Sequence, residues 1–218
     1  MRQLLLDIRP PSRPELARFV VGRNIELLAA LAALRAGTAS ERAVYVWGAP
    51  GSGKSYLLEA WANACEAEGC AVARGGLVAA PVVVADGVDA WDAAQQAAGF
   101  AVYNQVREAG GVWLASGRTA PADLPLTPEL RTRLGWGLVF QLAPLTDAEK
   151  QAALARHAET LGFRLEPAVS DYLITRGARD MQSLLATLEA LDRASLEMRR
   201  PITLPLLRQL LAGRADQP

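Results

Sequence analysis

The chain has 218 residues, 51% of them hydrophobic, and its 23 lysines and arginines balance 23 aspartates and glutamates to a formal charge of zero. That length allows one or two domains with ample core, and the neutral balance speaks against duplex DNA as the main partner, because a phosphate-binding surface is basic. No apolar run approaches bilayer length and no cleavable signal is visible, so a cytoplasmic protein with no membrane partner is expected, its Cys65 and Cys70 free thiols.

In chain order, residues 1–11 form a short tail ending in Pro10-Pro11, which starts no helix cleanly. A helix is predicted over 24–36, then a buried strand over 43–47, then a glycine-rich loop and a helix over 54–68. A weak strand near 70–74 and an apolar one over 81–85 follow, then a helix over 91–109 and strands over 112–116 and 138–142. From Pro144 onward only helices are predicted, over 147–161, 167–175, 179–198 and 203–211, punctuated by Gly162, Gly177 and Pro201. Strands alternating with helices imply an α/β fold, a five-stranded parallel sheet with helices on both faces. The expected organisation is a tail over 1–11, an α/β base over 12–143 and a small all-α lid over 144–218.

The loop reads Gly48-Ala49-Pro50-Gly51-Ser52-Gly53-Lys54-Ser55, a complete cradle for nucleotide phosphates between a strand and a helix. Glycines let successive N–H groups turn toward a β-phosphate, Lys54 adds a mobile charge, Ser55 offers a hydroxyl to Mg²⁺, and the helix presents its positive end. About thirty residues on, Val82-Val83-Val84-Ala85-Asp86 ends an apolar strand in a carboxylate that can stand beside that Mg²⁺. The next residue, Gly87, cannot orient an attacking water, and Asp89 is the nearest further carboxylate, so hydrolysis by this chain alone is expected to be slow or to use Asp89. The strand ending in Ser116-Gly117-Arg118 delivers Ser116 to the same edge, either as a phosphate sensor or as an ordinary strand cap. On composition alone, Arg131 and Arg133 read as solvated arginines on a helix, and Arg179 as a solvent-facing residue.

In this order the motifs resemble the AAA+ ATPases, and more narrowly the DnaA/Hda type, over nearly the whole chain. The resemblance implies that Val20, Val21 and Gly22, within Phe19–Asn24, contact adenine. It makes Gly48 to Ser55, with Tyr56 after it, the Walker A site for ADP or ATP with Mg²⁺. It makes Asp86 the Walker B aspartate, Ser116 the first sensor and Arg179 the second-sensor arginine. Arg133, within Arg131-Thr132-Arg133-Leu134-Gly135-Trp136-Gly137, falls where the family keeps an arginine finger.

Within that family the chain departs from the initiators. It stops at Pro218 without a helix-turn-helix domain, and the segment between cradle and Asp86 is short. Gly87 and Gly117 stand where acidic residues are common. No direct sequence-specific DNA binding is therefore expected. On its residues alone the tail, with Gln3, Leu4, Leu6 and Ile8, reads as a first element packed on the core. The resemblance implies instead a peptide that docks on the β sliding clamp, the Gln amide setting register and the aliphatic groups filling a pocket. The implied function is regulatory inactivation of the replication initiator DnaA, by clamp docking and an arginine supplied in trans to DnaA-bound ATP. The alternative is an ATPase acting as a helicase loader or remodeller. Whether ATP or ADP is the working ligand, whether the chain's own hydrolysis matters, and whether it forms a homo-oligomer stay open at this level.

Overall fold

A computed structural model describes residues 13–177 and 180–215. The tail residues Gln3, Leu4, Leu6 and Ile8, and also Arg179, lie outside the described residues. The chain divides into two compact units between Pro144 and Leu145.

The first unit is a five-stranded sheet in the order β2-β3-β4-β1-β5, every pair parallel. Its strands are β1 (Ala43–Trp47), β2 (Val72–Arg74), β3 (Val82–Ala85), β4 (Val112–Gly117) and β5 (Leu138–Gln141). The three central strands β3, β4 and β1 are apolar runs, as strands covered on both faces must be. Alternate side chains serve opposite faces. Val44 and Val46 meet α1 (Ile25–Arg35) and α2 (Lys54–Ala67) through Leu27, Leu31, Leu57 and Trp61. Tyr45, Val83 and Trp113 meet α3 (Ala93–Glu108) and α4 (Pro128–Trp136) through Tyr103, Val106, Leu130 and Leu134. Each fully buried Leu contributes about 1.5–3 kcal/mol. The indole N–H of Trp61 is satisfied as well, donating to Leu31 O at 2.8 Å.

The sequence pattern places the strands within two residues of where they lie. It does not single out α4, whose nine residues are too short for periodicity to stand out. The helix begins on a proline in its first turn, after Thr127. At the other end of precision, α3 starts two residues later than predicted. Asp92 and Gln95 form a reciprocal cap there, each side chain bonded to the other's backbone N–H. Trp91 is thereby left outside the helix and folds back over Gly99 and Gly76.

The second unit is four helices: α5 (Asp147–Thr160), α6 (Pro167–Arg176), α7 (Met181–Met198) and α8 (Leu204–Ala215). Their apolar stripes close on one core, with Leu154, Leu173, Leu184, Leu188, Leu191 and Leu207 all buried. Thr146 and Glu149 cap α5 reciprocally, and Asp180 caps α7 through Ser183 N. No helix among the described residues is long and apolar enough to cross a membrane. Cys65 is buried and Cys70 exposed, neither in a disulfide.

Gly99 gives a clean test of the packing. Alanine there raises helix propensity by about 1 kcal/mol, but its Cβ would come within 2.8 Å of Trp91 Cη2. Overpacking of that kind costs about 1–3 kcal/mol. Gly99→Ala should therefore lower stability in a denaturant titration, and Trp91→Ala in the same background should lessen that penalty. A stabilised Gly99→Ala would contradict the packing.

Candidate functional site

The parallel register brings three strand ends to one edge. Trp47 of β1 lies opposite Gly117 of β4, so the loop starting at Gly48 leaves the sheet beside Arg118. Ala85 of β3 lies opposite Ala115, so Asp86 emerges beside Ser116. Ligands of open α/β sheets bind beyond this carboxyl edge.

The loop from Gly48 to Ser55 has the shape a polyphosphate requires. Gly51 and Gly53 stand at φ +77° and +101°, the left-handed region that glycine enters without a Cβ penalty. At Gly48 a Cβ would approach Leu142 O at 2.7 Å, so the loop can lie close to the chain leaving β5 only without a side chain there. Ala49, Pro50 and Gly51 face solvent. The first turn of α2 carries no side-chain cap, which leaves its N–H groups for an anion. Ser52 Oγ is buried without a hydrogen-bond partner among the described residues. Lys54 Nζ folds back onto Gly48 O at 2.7 Å and Ala49 O at 3.0 Å. Burial pulls the Lys54 ammonium below its usual pKa; Asp86 and Asp89 oppose that, and Arg118 adds to it. The residues therefore fit a nucleotide phosphate chain. Ser55, exposed in the first turn of α2, and the exposed Asp86 are the two side chains that can share a Mg²⁺ with phosphate oxygens. No group of three or more His, Cys, Asp or Glu gathers among the described residues to bind a metal unaided.

Ser116 is fully buried. Its hydroxyl donates to Asp86 Oδ1 and accepts the backbone N–H of Gly87 at 3.2 Å. One hydroxyl thus fixes both the carboxylate and the backbone turn after it. Gly87 has φ +66° with open space around its missing Cβ. At Gly117 there is no room: a Cβ would stand 3.2 Å from Tyr45 Cζ and 3.3 Å from Asp89 Oδ1. Tyr45 sends its hydroxyl past this strand end to donate to Thr119 O at 2.9 Å, and burial, then Asp89, holds its pKa well above the usual phenol value. Asp89 itself pairs with Arg118, Oδ2 to Nε 3.2 Å.

The segment with Val20, Val21 and Gly22 follows Phe19, which packs beside the cradle at Gly53. Phe19 reaches within 3.5 Å of where a Gly53 Cβ would stand and stacks on Tyr56 at 6.4 Å between ring centroids. Asn24 clamps the segment, its amide donating to Val21 O and Ala143 O and accepting from Ala143 N. The Tyr56 hydroxyl bonds both backbone groups of Glu15, so Tyr56 can serve a phosphate only through its own backbone N–H.

Arg133 lies apart from the cradle. Its Nε donates to Asn104 Oδ1 at 3.1 Å, and its guanidinium sits 3.9 Å from the Trp136 ring centroid and 5.4 Å from that of Phe100. Arg107 covers Trp136 as well, at 4.8 Å. Arg131 is half-buried on the same helix. Trp136 is 50% exposed. The sequence reading singled out Asp89 but missed its pairing with Arg118, and it missed Asn24 and Asn104 as site elements. Nothing local signals the two asparagines; for the pair, a charge of each sign near two strand ends is a signal that spacing alone leaves unread.

Removing the Ser116 hydroxyl tests its positioning role. Ser116→Ala leaves a buried N–H unpaired and Asp86 unheld, a loss of about 1–3 kcal/mol in this setting. The Mg²⁺ dependence of nucleotide affinity should flatten while affinity measured without Mg²⁺ changes little. An unchanged Mg²⁺ dependence would contradict it.

The family model "Hda, lid domain" matches residues 147–211. Among solved structures, domain III of DnaA from Thermotoga maritima superposes with TM-score 0.74 at 17% identity, over 94% of this chain and 98% of that one. A DnaA replication initiator bound to AMPPCP and single-stranded DNA gives 0.71 at 15% identity, over 85% of this chain. The chain spans only 66% of that initiator's length. The RuvB Holliday junction branch migration motor of Thermotoga maritima gives 0.62 at 17% identity, over 92% of this chain and 72% of that one. The chain thus has the AAA+ fold seen in DnaA domain III, and its residues 147–211 match the Hda lid model.

Proposed function

We propose that the chain is a nucleotide-dependent regulator of the initiator DnaA. It holds ADP or ATP with Mg²⁺ in the Gly48–Ser55 cradle, docks on the β sliding clamp through Gln3, Leu4, Leu6 and Ile8, and presents Arg133 to ATP held by DnaA. Hydrolysis of that ATP inactivates the initiator. The observation that carries this reading is the Hda-type lid behind a DnaA-like base. Bound nucleotide with Mg²⁺ would supply charge that orders the cradle and its surroundings. Lys54 and the first turn of α2 bind the phosphates, Ser55 and Asp86 hold the cation, and Ser116 keeps Asp86 aimed. Arg179 is assigned to report the bound nucleotide from the lid.

Two features support a trans role for Arg133. Leu138, two residues after Trp136, pairs with Val44 at the start of β1, whereas the cradle leaves the end of that strand. Strand β1 is five residues long, so these ends are roughly 13 Å apart at about 3.3 Å per residue. Arg133, one turn before Trp136, is therefore nearer the far end of the sheet from its own cradle. Its bond to Asn104 uses Nε and leaves both terminal amino groups without a hydrogen bond among the described residues. A guanidinium so oriented can offset charge on a transferring phosphoryl group. Such an arginine is worth about 10³–10⁵ in rate.

Arg133→Ala should abolish stimulation of DnaA ATP hydrolysis in an assay with clamp and DNA present, with nucleotide and clamp affinity retained. Arg131→Ala should cost much less. Normal stimulation by the Arg133→Ala protein would refute the trans mechanism.

The tail is tested separately. Replacing Gln3, Leu4 and Leu6 with alanine removes one register hydrogen bond and two anchors, each worth about 1.5–3 kcal/mol if buried. Clamp pull-down should fail while thermal stability and nucleotide affinity hold. Intact clamp binding, or a lowered melting temperature, would assign the segment to the domain's core.

A further inference from the structure

Beside the cradle lies an ion pair that the phosphate-binding motif does not use. Arg118 is the next residue after Gly117, which sits opposite Trp47, so it emerges alongside Gly48 at the mouth of the loop. Its side chain is 70% exposed, while that of its partner Asp89 is only 12% exposed, and they meet at 3.2 Å. Asp89 lies in the short 3-10 turn Val88–Ala90 that follows Gly87, and its Oδ1 comes within 3.3 Å of where a Gly117 Cβ would stand. Both charges are felt at Lys54: Asp89 favours its ammonium and Arg118 disfavours it. An exposed cation and a largely buried anion therefore stand together beside the start of the phosphate loop.

We propose that the Arg118–Asp89 pair discriminates nucleoside triphosphate from diphosphate, Arg118 leaving Asp89 to contact the terminal phosphate and Asp89 opposing that phosphate by its charge. This rests on the cradle reading above and adds to it a residue that reads the length of the phosphate chain. The Arg118 side chain is largely exposed, so water can replace much of what it loses on leaving Asp89. A charge-assisted bond to phosphate is the stronger of the two contacts. Asp89 stays where the 3-10 turn holds it, uncompensated and close to the added charge. The two residues thus push the preference in opposite directions, which gives the pair a signature that a merely structural ion pair lacks.

The test is calorimetric titration of the full chain with ATP and with ADP, each with Mg²⁺. Arg118→Ala should weaken ATP about tenfold and leave ADP within about twofold, the scale of one charged contact. Arg118→Lys should keep most of the ATP affinity. Asp89→Asn should shift the ATP-to-ADP affinity ratio severalfold the other way. Equal changes for both nucleotides, or none, in Arg118→Ala would overturn the inference while leaving the cradle intact. Wild-type chain that binds neither nucleotide would overturn the cradle reading and this inference with it.

Discussion

The site depends on the register of three parallel strands that end at one edge of the sheet. Because β3, β4 and β1 are paired in register, Asp86 stands beside Ser116, and Gly48 leaves the sheet two residues further on, beside Arg118. The Ser116 hydroxyl then ties the end of β4 to Asp86 and to Gly87 N. A buried hydroxyl with both a donor and an acceptor role satisfied is rigid, since breaking either bond leaves a polar group unpaired away from water. The carboxylate is therefore aimed before any cation arrives. The apolar faces below, with Val46, Leu57 and Trp61 on one side and Tyr45, Trp113 and Leu130 on the other, hold the register that makes this possible.

Tyr45 shows how packing and chemistry are joined. It is a core residue on β1, yet its hydroxyl reaches past β4 to Thr119 O and occupies the room beside Gly117. An acidic side chain at position 117 has no space. The carboxylate found at that place is Asp89, brought from the turn after β3. The negative charge near the strand end thus arrives from a different element, and its counterion Arg118 is the residue that follows β4.

Much of this was legible in the sequence because its signals are local. The eight-residue cradle lies between a strand and a helix, and Val82–Ala85 followed by Asp86 is an apolar strand ended by one polar residue; both patterns are short and contiguous. The four lid helices follow from the absence of any strand pattern after Pro144 and from the breaks at Gly162, Gly177 and Pro201. What was not legible is made by contacts distant in sequence. Asn24 joins the start of α1 to Ala143, 119 residues away, and Arg133 is held by Asn104, 29 residues away. The role of Gly99 in admitting Trp91 is equally hidden, because a glycine inside a helical pattern looks like a weakness until the ring that occupies its space is seen. Helix α4 escaped for a simpler reason, having only two buried residues, Leu130 and Leu134, to mark its face.

The central claim is that this chain is a Mg²⁺-dependent nucleotide-binding module whose cradle is ordered by its ligand. Hydrogen exchange of the backbone N–H groups of residues 48–56, measured with and without Mg²⁺ and nucleotide, tests it most directly. Donors that accept a phosphate should be protected on ligand addition in wild-type chain, and the protection should vanish in Lys54→Ala, with the exchange of the lid core unchanged. Exchange at 48–56 that is indifferent to saturating nucleotide would contradict the claim.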